Sequence, residues 1–497
     1  MLKLTWKGIA AVALIAVVAV SSFVVYETYY SAPQPNCAPV KPGVPLVSKL
    51  PKVTFGGVTE YMLPSQGRAP NAITTAPDGS VWFAEQEIPG VAHFFPGNDT
   101  LVEYAWSGYP TPQPPDCLYS ANVFGIAIWD GRVWAADQYN NEILGVSPAD
   151  GSTVRVNASS HAQYPYWLAV GPDGDLWYTS DNSPAAIGRI SPNLTLSVIE
   201  LKGMGEDVPL QVTFVNSSLA FIAAINEAEN TTTKTCICDG HIYSFDPSKT
   251  SSTLEPRVVG GSYTIQLPTS VSYSDGKIWV AQHGTSSVLS YDLATGVWTK
   301  YPTSTVPWST TLPLAIVANG SRVWFNEHYA NKMAVLNGSS ETLTEISESN
   351  PPASSGAGIQ NDESFAVWDG GVWFTSWTGN YIGFISGSYA PPFRVSAAGN
   401  NTVTLSPGQS ASIPFRVAGK WTSALKVNES DSETYSSKPS LIQMTPSVYE
   451  IPPGSTPVAL TINMTLAQSI DPGKYVVAVT ATEGGVQQST YVFVTVP

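Results

Sequence analysis

The sequence predicts an all-β chain: a seven-bladed β-propeller whose N-terminal strand closes the last blade, then a C-terminal immunoglobulin-like β-sandwich, with an N-terminal transmembrane helix in front. Three observations carry this reading. A phrase made of an apolar strand, a tight turn and a strand opening on a hydrophobic residue and Trp recurs seven times. The 497 residues include 40 Gly, 40 Pro, 15 Trp and 23 Tyr, a composition of short strands and turns. One long apolar run stands at the N-terminus, behind Lys3 and Lys7.

That run, residues 8–25, is broken only by Ser21 and Ser22. It is near the ~17–25 residues a spanning helix needs, and its basic flank stays inside while the rest is exported. Residues 1–30 are therefore a signal anchor or a cleaved signal peptide. The length of the run and the lack of a clean small-x-small site favour the anchor, which makes the membrane a partner. Cleavage would leave the chain secreted. Residues 31–51 follow as an extracytoplasmic linker.

Only 12% of the residues are charged, and 38 acidic against 23 basic residues give a net charge of -15. This excludes binding of nucleic acid through its phosphates, and no nucleic-acid partner is expected. Ten Asn-x-Ser/Thr sequons run from Asn98 to Asn463, so the exported part is expected to be a glycoprotein. The four cysteines are Cys37, Cys117, Cys236 and Cys238. A Cys37–Cys117 disulfide is favoured, leaving Cys236 and Cys238 as a tight local bridge or as free thiols.

The fullest copy of the repeat runs over residues 71–85 and contains Pro77-Asp78-Gly79 followed by Val81-Trp82-Phe83. Later copies centre on Trp134, Trp177, Phe221, Trp279, Trp324 and Trp373, at intervals of 52, 43, 44, 58, 45 and 49 residues. Such periods suit four short strands per unit. Turns such as Asp130-Gly131, Asp275-Gly276 and Asp369-Gly370 supply tight hairpins. A third strand carries small residues, as in Ile187-Gly188-Arg189-Ile190, and a more polar fourth strand follows. Fourth strands are expected at Leu101-Val102-Glu103-Tyr104, Tyr263-Thr264-Ile265-Gln266-Leu267 and Leu343-Thr344-Glu345-Ile346, among others. The segment Val58-Thr59-Glu60-Tyr61 has this phrase but precedes the first repeat, while the seventh lacks one after Ile385. Circular closure by the N-terminal strand explains both. The propeller then spans residues 52–391. The Trp phrase stops there, and residues 392–497 show about seven alternating stretches with a single Trp, Trp421, and no Cys.

The opening Pro-x-x-Ile, the Pro-Asp-Gly-x-x-Trp-Phe-x-Glu phrase around Trp82 and the Ile-Gly-Arg-Ile strand resemble the streptogramin lyase (virginiamycin B lyase) family of seven-bladed propellers over roughly residues 52–390. The resemblance implies opening of a cyclic depsipeptide lactone by elimination, with Mg2+ held by carboxylates and a histidine base. Family histidines follow the blade-opening proline. The corresponding residues here are Asn71, Phe124, Tyr166, Leu210, Thr269, Leu314 and Glu363, none of them His.

A second ring lies three residues past each Trp and holds Glu85, Asp137, Gln282 and Glu327, with His283 and His328 beside two of them. Convergent carboxylates and imidazoles suit ligand or cation binding. Glu85, Asp137, Tyr166, His283, Glu327 and His328 are the candidate ligand-binding residues, Glu85 and Glu327 the candidate Mg2+ ligands, and Glu327 and His328 the candidate catalytic pair. Tyr139, Trp167 and Tyr329 extend an aromatic rim suited to a small molecule, glycan or peptide. The expected function is an exported, membrane-anchored cell-surface binding module. A divergent Mg2+-dependent lyase on a cyclic ester or polysaccharide is the alternative, and a structural surface-layer component the second.

Overall fold

The computed structural model describes residues 43–64, 68–86, 90–108, 121–226, 229–230, 235–236, 238–249, 251–261, 263, 265–304, 310–328, 330–348, 362–431, 441–455 and 457–497. The apolar N-terminal run, Cys37, Cys117 and Tyr329 lie outside these residues. Among the described residues, no helix is long and apolar enough to cross a membrane, and the chain is all-β. Cys238 is disulfide-bonded, which removes the free-thiol alternative for it.

Each Trp phrase folds into a small sheet of strands that follow one another antiparallel. The Asp-Gly turns behave as the local chemistry requires: Asp130 and Gly131 have φ of 47° and 71°, and Asp275 and Gly276 have 51° and 75°. Two successive positive φ values make the mirror-image turn whose twist matches a hairpin, and a bulky side chain resists them.

Among the described residues there are seven such sheets. Their first strands are Pro70–Thr75, Val123–Trp129, Pro165–Val170, Val208–Asn216, Pro268–Ser274, Pro313–Asn319 and Asp362–Trp368. Each of these strands contacts the next, and the last contacts the first, so the arrangement is cyclic and propeller-like. The cores lie between sheets. Trp134 packs with Leu176 and Tyr178 of the following sheet, Trp177 with Val212 and Phe245, and Trp373 with Phe83 and Phe94. Burying one such indole, ~150–250 Å² of apolar surface, contributes on the order of 4–6 kcal/mol before chain entropy is counted.

Val58–Met62 pairs antiparallel with Tyr381–Ile385, supplying the outer strand that the seventh repeat lacks. Two further strands were not anticipated. Leu46–Lys49 pairs with the outer strand of the first sheet, and Lys52–Phe55 with Val58–Met62, so one segment spans the closure.

The fourth sheet corrects the expected outer strand. Arg257–Val258, not residues 263–267, pairs with Tyr243 and Ser244, and Ile265 makes only an isolated bridge to Gly240. Leu267 adopts φ of 45° to launch the next inner strand at Pro268, and this left-handed conformation ends any strand there.

After residue 392, two sheets enclose a separate core of Phe393, Phe415, Trp421, Leu425 and Ile462. One contains Phe393–Ala397, Ser410–Gly419, Val458–Leu466 and Ile442–Pro446. The other contains Thr402–Thr404, Val486–Val496, Gly473–Glu483, Leu425–Asp431 and Glu450–Ile451. This second sheet is continuous with the sixth sheet of the ring, because Thr342 to Ile346 pair with Thr490 to Val486. The fully buried Tyr491 donates to the Pro302 carbonyl at 3.0 Å, and Lys332 Nζ lies 2.6 Å from Gln487 Oε1.

Candidate functional site

The first strand of every sheet in the ring slips register near its start, after Pro70, Val123, Pro165, Pro209, Pro268, Pro313 and Asp362. A bulge bends the strand and re-aims the residues it displaces. Asn71, Phe124, Tyr166, Leu210, Thr269, Leu314 and Glu363, the residues that follow each opening position, all lie in these bulges.

Four residues preceding an opening proline, Ala69, Tyr164, Leu267 and Leu312, have φ of 47°, 54°, 45° and 51°. Each costs on the order of 1–3 kcal/mol and persists only where its surroundings enforce it. The enforcement is visible: their carbonyls accept from the backbone N–H of Gln86, Asp181, His283 and His328, each four residues past a Trp. Side chains clamp the bulges further. Thr179 Oγ1 accepts from Trp167 N at 3.1 Å and donates to the Leu210 carbonyl of the next sheet at 2.5 Å. Asn326 Oδ1 accepts from Leu314 N and Ala315 N. Thr269 Oγ1 donates to the Leu314 carbonyl, and Thr375 Oγ1 to that of Asn71.

The bulged strands surround a cavity of about 210 Å³, lined from six of the seven sheets by residues including Phe124, Tyr166, Gln211, Thr269, Leu314 and Phe365. Phe124 and Tyr166 stack with ring centroids 4.4 Å apart and planes 18° apart. Among the described side chains, no Asp, Glu, Lys, Arg or His lines it.

Of the six candidate ligand-binding residues, Tyr166 alone lines this cavity; Trp167 of the expected aromatic rim lines it too, as do Phe124, Thr269 and Leu314 at positions where the resembled family has histidines. Glu85 and Glu327 lie in separate clusters within their own sheets. Glu85 is beside Glu103, with Arg68 Nε 2.6 Å from Glu103 Oε1 and 3.9 Å from Glu85 Oε1. Burial first, then the Glu103 charge, push Glu85 well above the usual carboxylate range. Glu327 is raised in the same way by burial and by Glu345. Burial works against ionisation of Glu345 too, yet the Lys332 ammonium and Ser304 hold it below its ordinary value. Asp137 is buried and accepts from Asn122 N, Asn140 N and Asn140 Nδ2. The His283 and His328 rings lie 5.4 Å apart across the fifth and sixth sheets, and burial lowers His283 to about 4.

These clusters do not fit a magnesium site. A hard dication takes several convergent oxygen ligands. Glu85 lies beside Arg68 and Glu103, and Glu327 beside Glu345, whose own ion pair is with Lys332, and among the described residues no group of three or more His, Cys, Asp or Glu is arranged to hold a metal.

A second polar feature runs around the same rim. Trp377 Nε1 donates to Gln86 Oε1 at 2.9 Å, Gln86 Nε2 to Asn122 Oδ1 at 2.6 Å and Asn122 Nδ2 to Gln138 Oε1 at 2.7 Å. Gln138 Nε2 then donates to Asp181 Oδ2. This directed chain crosses from the seventh sheet to the third. Sequence reasoning missed it, along with the cavity residues Gln211 and Ser364. The available signal was position: Gln86, Gln138, Asp181 and Trp377 each stand four past a Trp, and the cavity uses residues just past the opening position of a sheet.

No protein-family model and no curated protein matches the chain. Among solved structures it is similar to a catalytically inactive virginiamycin B lyase from Staphylococcus aureus with quinupristin, at 19% identity over 66% of this chain and 98% of that one, TM-score 0.48. A streptogramin B lyase structure is likewise 19% identical over 67% of this chain and 99% of its own, TM-score 0.48. BamB from Moraxella catarrhalis is 10% identical over 69% and 99%, TM-score 0.38. Identities this low say nothing about chemistry, so the site is read from its own residues.

Proposed function

We propose that the chain is an exported, membrane-anchored cell-surface binding module. Its scaffold is a seven-bladed propeller closed by the N-terminal strand and extended by an immunoglobulin-like sandwich, and a small ligand is held at the axial cavity. The observation that carries this is the convergence of bulged strands from six of the seven sheets on one aromatic-lined opening, with four of the seven bulges behind a left-handed residue. Backbone strain maintained this consistently is a feature of sites, not of packing alone.

Elimination through Mg2+ has less support, because the carboxylates it needs are held apart in buried pairs. The deciding experiment is a screen of the full chain against glycans, short peptides and small cyclic esters, read by tryptophan fluorescence. Binding weakened by Phe124→Ala and Tyr166→Ala supports the proposal. A ligand indifferent to both substitutions, or an ester opened by the chain, overturns it. Protease and glycosidase access in intact cells tests export.

A further inference from the structure

The axial cavity carries two polar groups that no described residue engages. Gln211, 8% exposed, accepts from Val271 N through Oε1 at 2.9 Å, which fixes its amide; its Nε2 has no partner among the described residues. Ser364, 3% exposed, likewise has no partner for Oγ among them. Both line the cavity, from the fourth and seventh sheets, and the Phe124–Tyr166 stack stands on the wall contributed by the second and third. A donor held with its other end anchored, a hydroxyl and an aromatic face therefore surround one small space.

We propose that this cavity binds a neutral sugar ring, a reading that rests on the axial site proposed above. The chemistry selects this class in three steps. An anionic ligand would be desolvated with no cationic group among the described residues on the wall, which argues against uronic and sialic acids and phosphates. A purely apolar ligand, or an aromatic peptide side chain, would leave the Gln211 amide and the Ser364 hydroxyl buried and unpaired, an expensive outcome. A neutral pyranose lays its C–H face on an aromatic ring and turns its edge hydroxyls to an amide and a hydroxyl.

The test titrates the full chain with glucose, galactose, mannose and N-acetylglucosamine. Glucuronic acid is the charged comparison and a Gly-Phe-Gly peptide amide the peptide comparison. Tryptophan fluorescence and calorimetry are the readouts. Gln211→Glu keeps the acceptor for Val271 N but replaces the donor, and Ser364→Ala removes the hydroxyl. At least one neutral sugar is expected to bind, about tenfold or more weaker in Gln211→Glu, and weaker in Ser364→Ala, with the melting temperature of Ser364→Ala near wild type. Binding of the peptide but no sugar, lost in Tyr166→Ala, overturns the sugar assignment and leaves the axial site standing. Sugar binding unchanged in Gln211→Glu and Tyr166→Ala, or no binding of any probe, overturns both.

Discussion

Arg68 holds its Nε 2.6 Å from Glu103 Oε1, with both side chains almost wholly out of solvent. A buried pair of this kind adds little net stability over apolar residues, but breaking it leaves a charge with no water and no partner. Arg68→Ala should therefore cost about 3–5 kcal/mol. The double variant Arg68→Met with Glu103→Leu should lose less. Urea denaturation of both variants checks this, and equal losses would refute it.

Stability should fall as pH rises above the carboxylate range. Burial and a neighbouring carboxyl raise Glu85 and Glu327 in the folded chain. The unfolded chain releases these protons near pH ~4.3 while the native state keeps them, so folding binds protons and loses stability as pH climbs through the raised values. The pH dependence of the urea midpoint is the measurement. Glu85→Gln with Glu327→Gln should flatten it.

Two histidines act in the opposite sense. Burial lowers His93 and His283 to about 4, and His93 also stacks on Trp82 at 3.9 Å. Their neutral forms belong to the native state, so their contribution is full above pH ~6.5 and is lost as pH falls toward 4. Imidazole NMR titration should place both midpoints near 4. Midpoints near 6.5 would contradict the burial the structure assigns.

Gly188 is a steric necessity. The Tyr178 ring lies across it, and a Cβ there would meet ring carbons at 1.9 and 2.2 Å. Gly383 faces Phe374 in the same way, at 2.1 Å. Gly188→Ala should cost about 1–3 kcal/mol through displacement of the ring. Gly97→Ala, where nothing lies within 4 Å, should stay within about 0.5 kcal/mol. Thermal melts of the pair decide the matter.

The C-terminal sandwich should not be separable without harm. Removing residues 392–497 would uncover the Thr342–Ser347 edge and take Tyr491 and Val476 out of the core they share with Trp279 and Tyr301. A truncated chain is expected to aggregate and to melt well below the full chain. Light scattering and calorimetry test this. An unchanged melting temperature would show that the shared sheet is not cooperative.

Much of the scaffold was legible because it rests on local chemistry. Asp-Gly turns force hairpins, Trp repeats at sheet spacing, and an outer-strand phrase displaced to Val58 pairs where the last repeat is deficient. The candidate site was only partly legible. Tyr166 was found, but Glu85 and Glu327 were read as lining the axis. They sit on second strands, whose two faces are both covered by neighbouring sheets, so their side chains turn into the body of the ring. Phe124 was noted only as standing where the resembled family has a histidine, and Gln211 and Ser364 were passed over because their types suggest no chemistry, although their place after the opening positions was visible.

The sequence by itself determined the repeat, its count of seven Trp-type phrases, the turns and the change of composition near residue 392, since each depends on near neighbours in the chain. Only the tertiary structure decided which side chains meet. Edge pairing joined Val486–Val496 to Thr342–Ser347, and bulged strands of six sheets brought Phe124, Tyr166, Gln211 and Ser364 to one cavity. Desolvation drew the carboxylates into paired, buried clusters. These outcomes depend on contacts between residues tens to hundreds of positions apart, which spacing along the chain does not encode.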